Sequence, residues 1–415
     1  MLREAVANAP RPQPGADSGV ARALRAGGPQ ADARHPVRPN PATRPFGVPV
    51  RNSRLLLLLL LGVSAGAQAA GTFTVLPAPG VRVTKMSPNG QYLVGTFFGE
   101  DGSTVGYIWR ASDQSSHMLL EMNNVLGVNN LGVVAGSVPV DGGSLFGGLD
   151  LGATGTIGMP PTLLTAPLEA NANGYDIADD GTVVGLSFDS GYSQDRTKAF
   201  VWTPSQGMQL LATTSPFTYS RANAISSDGR VIAGWNDNDF GRSGVIWRNR
   251  VPMDVQDDVG GRVGEATAVS GNGRFVAGGF YLDPLGNYGA WRWSEKGGVR
   301  VIPNMEYAFA ISDDGRTAVG SSSFFEGRVA RIWRHGVGTV DLAQYLVDNA
   351  VTGVPEGFLL VGGFSALSAD GKRMAGWGYD STFAVQSFVI DVVEERILAD
   401  GFEPRFPPPP PPDEE

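Results

Sequence analysis

The chain has 415 residues, 57 of them glycine and none cysteine, so disulfides, thiolate catalysis and thiolate metal sites are excluded. Apolar residues make up 42%, enough for a sizeable core, and abundant glycine without a collagen period, beside many Val, Ile, Phe and Trp, points to an all-β protein with many tight turns. The net charge of −9 is uneven: residues 1–69 carry nine arginines and three acids, which leaves the rest near −15, an acidic body that argues against nucleic acid as a partner.

Residues 1–50 are rich in Pro, Ala and Arg and show no periodicity. They are expected to form a disordered extension, or to precede a true translation start near Val48 or Val50. The stretch "RNSRLLLLLLLGVSAGAQA" follows, residues 51–69: two arginines, seven leucines from Leu55 to Leu61, then small residues ending in Ala67-Gln68-Ala69. That order is the order of a secretory signal peptide, with cleavage between Ala69 and Ala70. The apolar run is short of the roughly 20 residues that span a bilayer. A secreted or periplasmic chain with no membrane span after cleavage is therefore expected.

From residue 71 to about 400 one pattern recurs. A turn reading "SPNG" at Gly90 returns as "NNLG" at Gly132, "ADDG" at Gly181, "SSDG" at Gly229, "SGNG" at Gly273, "SDDG" at Gly315 and "SADG" at Gly371. The steps are 42, 49, 48, 44, 42 and 56 residues. Asp-Gly and Asn-Gly between apolar runs predict hairpins of type I′, with positive φ at both central residues. The segment before each turn is rich in small residues (Ala222 and Ala224, Ala266 and Ala268, Ala308 and Ala310), which suits a crowded axis. A Val/Ile strand follows the turn, then a strand ending in Trp109, Trp202, Trp247, Trp293 or Trp333, then a looser apolar segment. The copy at Gly132 has no Trp. Several short strands per step of 42–56 residues predict a seven-bladed β-propeller. "TFTVLP", Thr72 to Pro77, stands where an outer strand would, so the N-terminal strand is expected to close the ring on the last blade.

The candidate site residues are few. The turn acids Asp180, Asp228, Asp314 and Asp370 suit a backbone that needs Asx side chains better than they suit a metal. "NDNDFG", Asn236 to Gly241, lacks the closing acid of a calcium loop and reads as a loop tip. The Trp at the ends of third strands belong between blades. Trp235 and Trp377 follow the second glycine in only two copies, so they are candidates for a ligand face. Beyond Ala70 the only histidines are His117 and His335, neither in H-E-x-x-H, and G-x-S-x-G is absent. No metal or cofactor is expected, and no catalytic residue stands out. Residues 401–415, with six consecutive prolines, read as an extended acidic tail.

The pattern A-x-x-I-S-x-D-G-x-x-x-x-G followed by A-x-x-W resembles the HAF repeat family, described as extracellular repeat proteins of bacteria. The likeness covers roughly residues 80–390 and is strongest at Gly181, Gly229, Gly273, Gly315 and Gly371. It implies secretion and a propeller-like fold and no enzyme activity. The expectation is thus a monomeric, secreted, non-enzymatic propeller that binds a protein or a glycan. Two alternatives stand beside it. One is a propeller hydrolase or lyase acting on polysaccharide, marked by three or more acids with a Trp in one deep pocket. The other is a structural surface or matrix protein with featureless faces.

Overall fold

The computed structural model describes residues 71–140, 149–164, 171–188, 197–214, 219–238, 241–257, 263–282, 288–323 and 329–392. The expected extension, the signal segment with Ala69 and Ala70, residues 393–400 and the proline tail lie outside them. The fold is all-β. Among the described residues the strands form six sheets that divide into seven antiparallel units of the same order, the fifth and sixth being joined in one eight-stranded sheet by the pairing of Gly279 with Tyr307. In the first, Val81–Met86 pairs with Tyr92–Phe98, which pairs with Thr104–Arg110, which pairs with Ser115–Leu119. The inner strands of the next six units are Asn124–Val128, Asn171–Ile177, Ser220–Ile225, Ala266–Val269, Tyr307–Ile311 and Phe364–Leu367. The copy without Trp, around Gly132, also makes four strands.

In the last unit Gly71–Val75 runs antiparallel to Val385–Val392, with Phe73 opposite Ile390, as the fourth strand. Phe73 stacks on Phe388 at 4.7 Å. The cluster of Leu76, Val83, Tyr107 and Trp109 with Ala366, Ala375 and Val389 packs the first unit against the last. The 56-residue step holds two elements that the repeat does not foretell. A helix, Leu342–Asp348, buries Leu342, Tyr345 and Leu346, and a short strand, Val351–Thr352, runs parallel to Gly71–Val75 as a fifth strand.

The recurring turn is a closed circuit of hydrogen bonds. In "SSDG" the Gly229 N–H donates to the Ser226 carbonyl at 2.9 Å, and the Ser226 hydroxyl donates to Asp228 at 2.7 Å. The same hydroxyl accepts the Val231 N–H at 3.0 Å, and Asp228 accepts the Arg230 N–H at 3.1 Å. Asn89, Asn272, Asp314 and Asp370 repeat these contacts. Only the glycine of each turn has positive φ, +73° at Gly229 and +66° at Gly315. The type I′ expectation is corrected accordingly. The serine and the Asx side chain satisfy the turn's backbone groups, so the left-handed residue is needed only at the fourth position. At Gly315 a Cβ would also stand 2.4 Å from the Phe275 ring of the preceding unit.

Each turn is tied to the next. Asn89 N–H donates to Asn130 Oδ1, Asn130 N–H to Asp179 Oδ1, and Asn272 N–H to Asp313 Oδ1, at 2.7–2.9 Å. Backbone bonds link Asp179 to Ser227, Ser227 to Gly271, Asp313 to Ala369, and Ala369 to Pro88, at 2.7–3.0 Å. The last of these joins the seventh unit to the first.

Candidate functional site: a charged pocket on the axis

Every inner strand carries a register shift before its turn, between Val83 and Lys85 in the first unit and between Phe364 and Ala366 in the last. Such a bulge re-aims a side chain. Four of the re-aimed residues bind the next unit: Thr84 donates to the Val125 carbonyl at 3.2 Å, Asn223 to Ala266 at 2.7 Å, Thr267 to Ala308, and Ser365 to Val83 at 3.0 Å. Inside the ring they frame a pocket of about 380 Å³, lined by all seven units.

The residue five before the turn glycine is Ala224, Ala268, Ala310 and Ala366 in the last four units. In the first three it is Lys85, Gly127 and Asp176. Lys85 Nζ meets Asp176 Oδ2 at 2.6 Å, and Asp176 also accepts the Ile225 N–H at 2.9 Å. The intervening unit makes room because Gly127 has no side chain; a Cβ there would lie 2.6 Å from the Asp176 Cα.

Eight residues before the turn, three consecutive units place Arg221, Glu265 and Tyr307. Glu265, only 2% exposed, pairs with Arg221 and with Arg242 at 3.2 Å, and accepts Asn223 Nδ2 at 2.9 Å. The Tyr307 phenol is hydrogen-bonded to the same carboxylate. Burial, then the negative charge of Glu265, pushes the Tyr307 phenol far above its usual range, so it keeps its proton. For Arg221, burial works most strongly against the charge, but Glu265 together with the Tyr175 and Tyr307 phenols outweighs it, and the guanidinium is held charged. Asp179, from the turn ring, is the third acid on the wall.

Trp235 is buried between Arg242, at 4.3 Å, and Arg221, at 5.6 Å, one layer behind the wall. Trp377 is half-buried and covers Arg82 at 4.7 Å. Neither lines the axial pocket. The third-strand tryptophans are buried between units. His117 Nε2 lies 3.2 Å from Ser115 Oγ, but that hydroxyl donates to Asp113; the serine sits between the other two, where a triad needs the histidine. Of the Asn236 to Gly241 segment, Asn236, Asp237 and Asn238 are strand residues, with Asn238 paired to Gly241; residues 239–240 lie outside the described residues. Among the described residues no group of three His, Asp or Glu could hold a metal, and no helix is long and apolar enough to cross a membrane.

The sequence reading did not single out Lys85, Asp176, Arg221, Glu265 or Tyr307. The available signal was departure from the repeat: charged residues at a position that is alanine in four units.

No protein-family model matches the chain. No curated protein matches it either. Solved structures do. The oligogalacturonate lyase of Vibrio parahaemolyticus is 10% identical, with 80% of this chain and 96% of that one covered and a TM-score of 0.52. The β-propeller domain of the trilobed protease of Pyrococcus furiosus is 14% identical over 63% and 84%, TM-score 0.43. The acylaminoacyl peptidase of Pyrococcus horikoshii is 13% identical over 72% and 50%, TM-score 0.44. At these identities the likeness is one of fold, and the fold is the β-propeller. The expectation of a non-enzymatic binding module is corrected here. Among the solved structures of similar fold, the one with a TM-score of 0.52 is by its name a lyase, and the axis carries a pocket with three acids and two cations instead of a bland face.

Proposed function

We propose that the protein is an enzyme of acidic polysaccharides and that the axial pocket cleaves a uronate chain by β-elimination. The observation that carries this is the pairing of two cations, Lys85 and Arg221, with acids inside one pocket. Glycoside hydrolysis develops positive charge on the sugar ring, which cations oppose. Removal of the proton next to a carboxylate develops negative charge, which cations stabilise. In this reading Lys85 and Arg221 face the sugar's carboxylate and Asp176 takes the proton from the adjacent carbon. The released electron pair forms the ring double bond as the bond to the glycosidic oxygen breaks. Tyr307 gives that oxygen a proton. The lyase of similar fold acts, by its name, on oligogalacturonate, the same substrate class.

The test is incubation with polygalacturonate while the ultraviolet absorbance of an unsaturated uronate is followed. Lys85→Met and Asp176→Asn should each lower the rate about 100-fold or more. New reducing ends without unsaturated product would replace elimination by hydrolysis, and absence of both products would end the proposal.

Two further assignments belong to the same reading. Export rests on the signal pattern of residues 51–69 and is checked by a mature N-terminus at Ala70. Membership of the HAF repeats rests on the S-x-D-G turn and the third-strand Trp, and is checked by whether chains sharing both also keep the turn ring.

A further inference from the structure

We infer that a second, basic groove outside the turn ring is a binding site for an extended acidic glycan, feeding the same end of the ring as the axial pocket. The groove has a volume of about 700 Å³ and lies across the fourth, fifth and sixth units. The residue just after the turn glycine is arginine in all three: Arg230, Arg274 and Arg316. The first three units have Gln91, Val133 and Thr182 there, so the repeat does not require the charge. The ends of the third strands add Arg248, Arg292 and Lys296.

The acids in the groove are already engaged. Asp228 and Asp314 accept their own turns' N–H and serine hydroxyl groups. Glu295 pairs with Arg248 at 2.8 Å. Among the described residues Arg274, Arg316 and Lys296 make no ion pair. This is a positive strip on a body of net charge near −15. Phe275, part-buried, lies on the groove wall next to Arg274 and packs over the Gly315 turn, giving an apolar surface beside planar cations.

That combination selects among polyanions. A guanidinium fork matches a carboxylate with two parallel hydrogen bonds, and the ring of Phe275 offers an apolar face to a sugar. Double-stranded nucleic acid carries a far denser charge, which the acidic body around the groove repels. Position supports the same choice. At the turns of the fourth and fifth units, Ser227 and Gly271 line the axial pocket, while the very next residues, Asp228 and Asn272, line the groove. A chain held in the groove therefore lies across the rim of the pocket. The identity of the sugar rests on the proposed function; the anionic character of the ligand does not.

The test is titration of the full chain with fluorescently labelled oligogalacturonate at low and moderate salt. Binding should weaken as salt rises, and Arg274→Glu with Arg316→Glu should weaken it about tenfold or more. Arg274→Gln with Arg316→Gln should give a smaller loss in the same direction. Neither pair should change the melting temperature, since these side chains make no ion pair. Unchanged affinity in the doubly reversed variant overturns the inference, as does tighter binding of a labelled single-stranded oligonucleotide at the same salt. Product formation is read separately. Groove-dependent binding without unsaturated product leaves this site standing and removes the axial chemistry; product with groove-independent binding does the reverse.

Discussion

Acids of the turn ring and acids of the axis are the same residue types with opposite employment. Asp228, Asp314 and Asp370 spend their oxygens on a serine hydroxyl two residues back and a backbone N–H two residues on. Each is satisfied inside its own turn. Asp176 and Glu265 instead face cations carried by other units: Lys85 from the first, Arg221 from the fourth. The first kind recurs because every unit needs the turn. The second kind appears once each. In a repeat protein, then, recurrence marks the frame, and the site lies where the recurrence fails.

If that division is right, damage to the frame should cost stability and damage to the axis should cost chemistry. The largest stability loss is expected from a chain beginning at Val81. It lacks Phe73 and Leu76, whose burial is worth about 1.5–3 kcal/mol each, and leaves Val385–Val392 as an open edge. Its melting temperature should fall well below that of a chain beginning at Ala70, or it should aggregate. Equal melting temperatures would mean that the pairing of the two ends does not hold the ring.

Glu265→Ala blurs the division on purpose. It leaves Arg221 without its carboxylate in a buried site, which should cost about 3 kcal/mol by urea unfolding as well as activity. Lys85→Met should lose activity and, because it leaves the buried Asp176 with only the Ile225 N–H, should cost stability too, but less than Glu265→Ala. A large stability loss from Lys85→Met would make the axial pair part of the frame.

Alkaline titration compares a frame phenol with an axial one. Burial, eased slightly by a hydrogen bond with Ser116, pushes Tyr107 up from 10.0 to about 12, and Tyr307 is pushed up further by burial and Glu265. A raised folded value means that the neutral phenol is favoured in the fold. The contribution is fully present below the unfolded value near 10 and is lost as pH rises through the folded one. For Tyr107 this is about 2–3 kcal/mol between pH 10 and 12. Thermal melts across that window should show stability falling, and Tyr107→Phe should flatten the fall without removing it, because Tyr307 remains.

The smallest effect is expected at the turns. Asp314→Ala removes the acceptor for the Arg316 N–H and the Ser312 hydroxyl and should cost about 1 kcal/mol, with activity unchanged and no response to a chelator. A chelator-dependent melting temperature would give the turn acids the metal role that their hydrogen bonds argue against.

Strand order, the position of each turn and the outer-strand role of Thr72 to Leu76 were legible in the sequence alone. They rest on local chemistry that repeats: a glycine that must take positive φ, a serine and an Asx two residues apart, small residues at the axis and a Trp strand third. The copy near Gly132 has no Trp, yet four strands form there, because pairing depends on the backbone and not on one aromatic. The helix Leu342–Asp348 was announced only by the length of the last step. What the sequence did not disclose is which charges meet. Lys85 reaches Asp176 only because the ring curves past Gly127, and Arg221, Glu265 and Tyr307 converge only because three strands far apart in the chain stand side by side at one height. Their contacts run between units, so no local spacing encodes them; the packing of successive units around one axis brings them together.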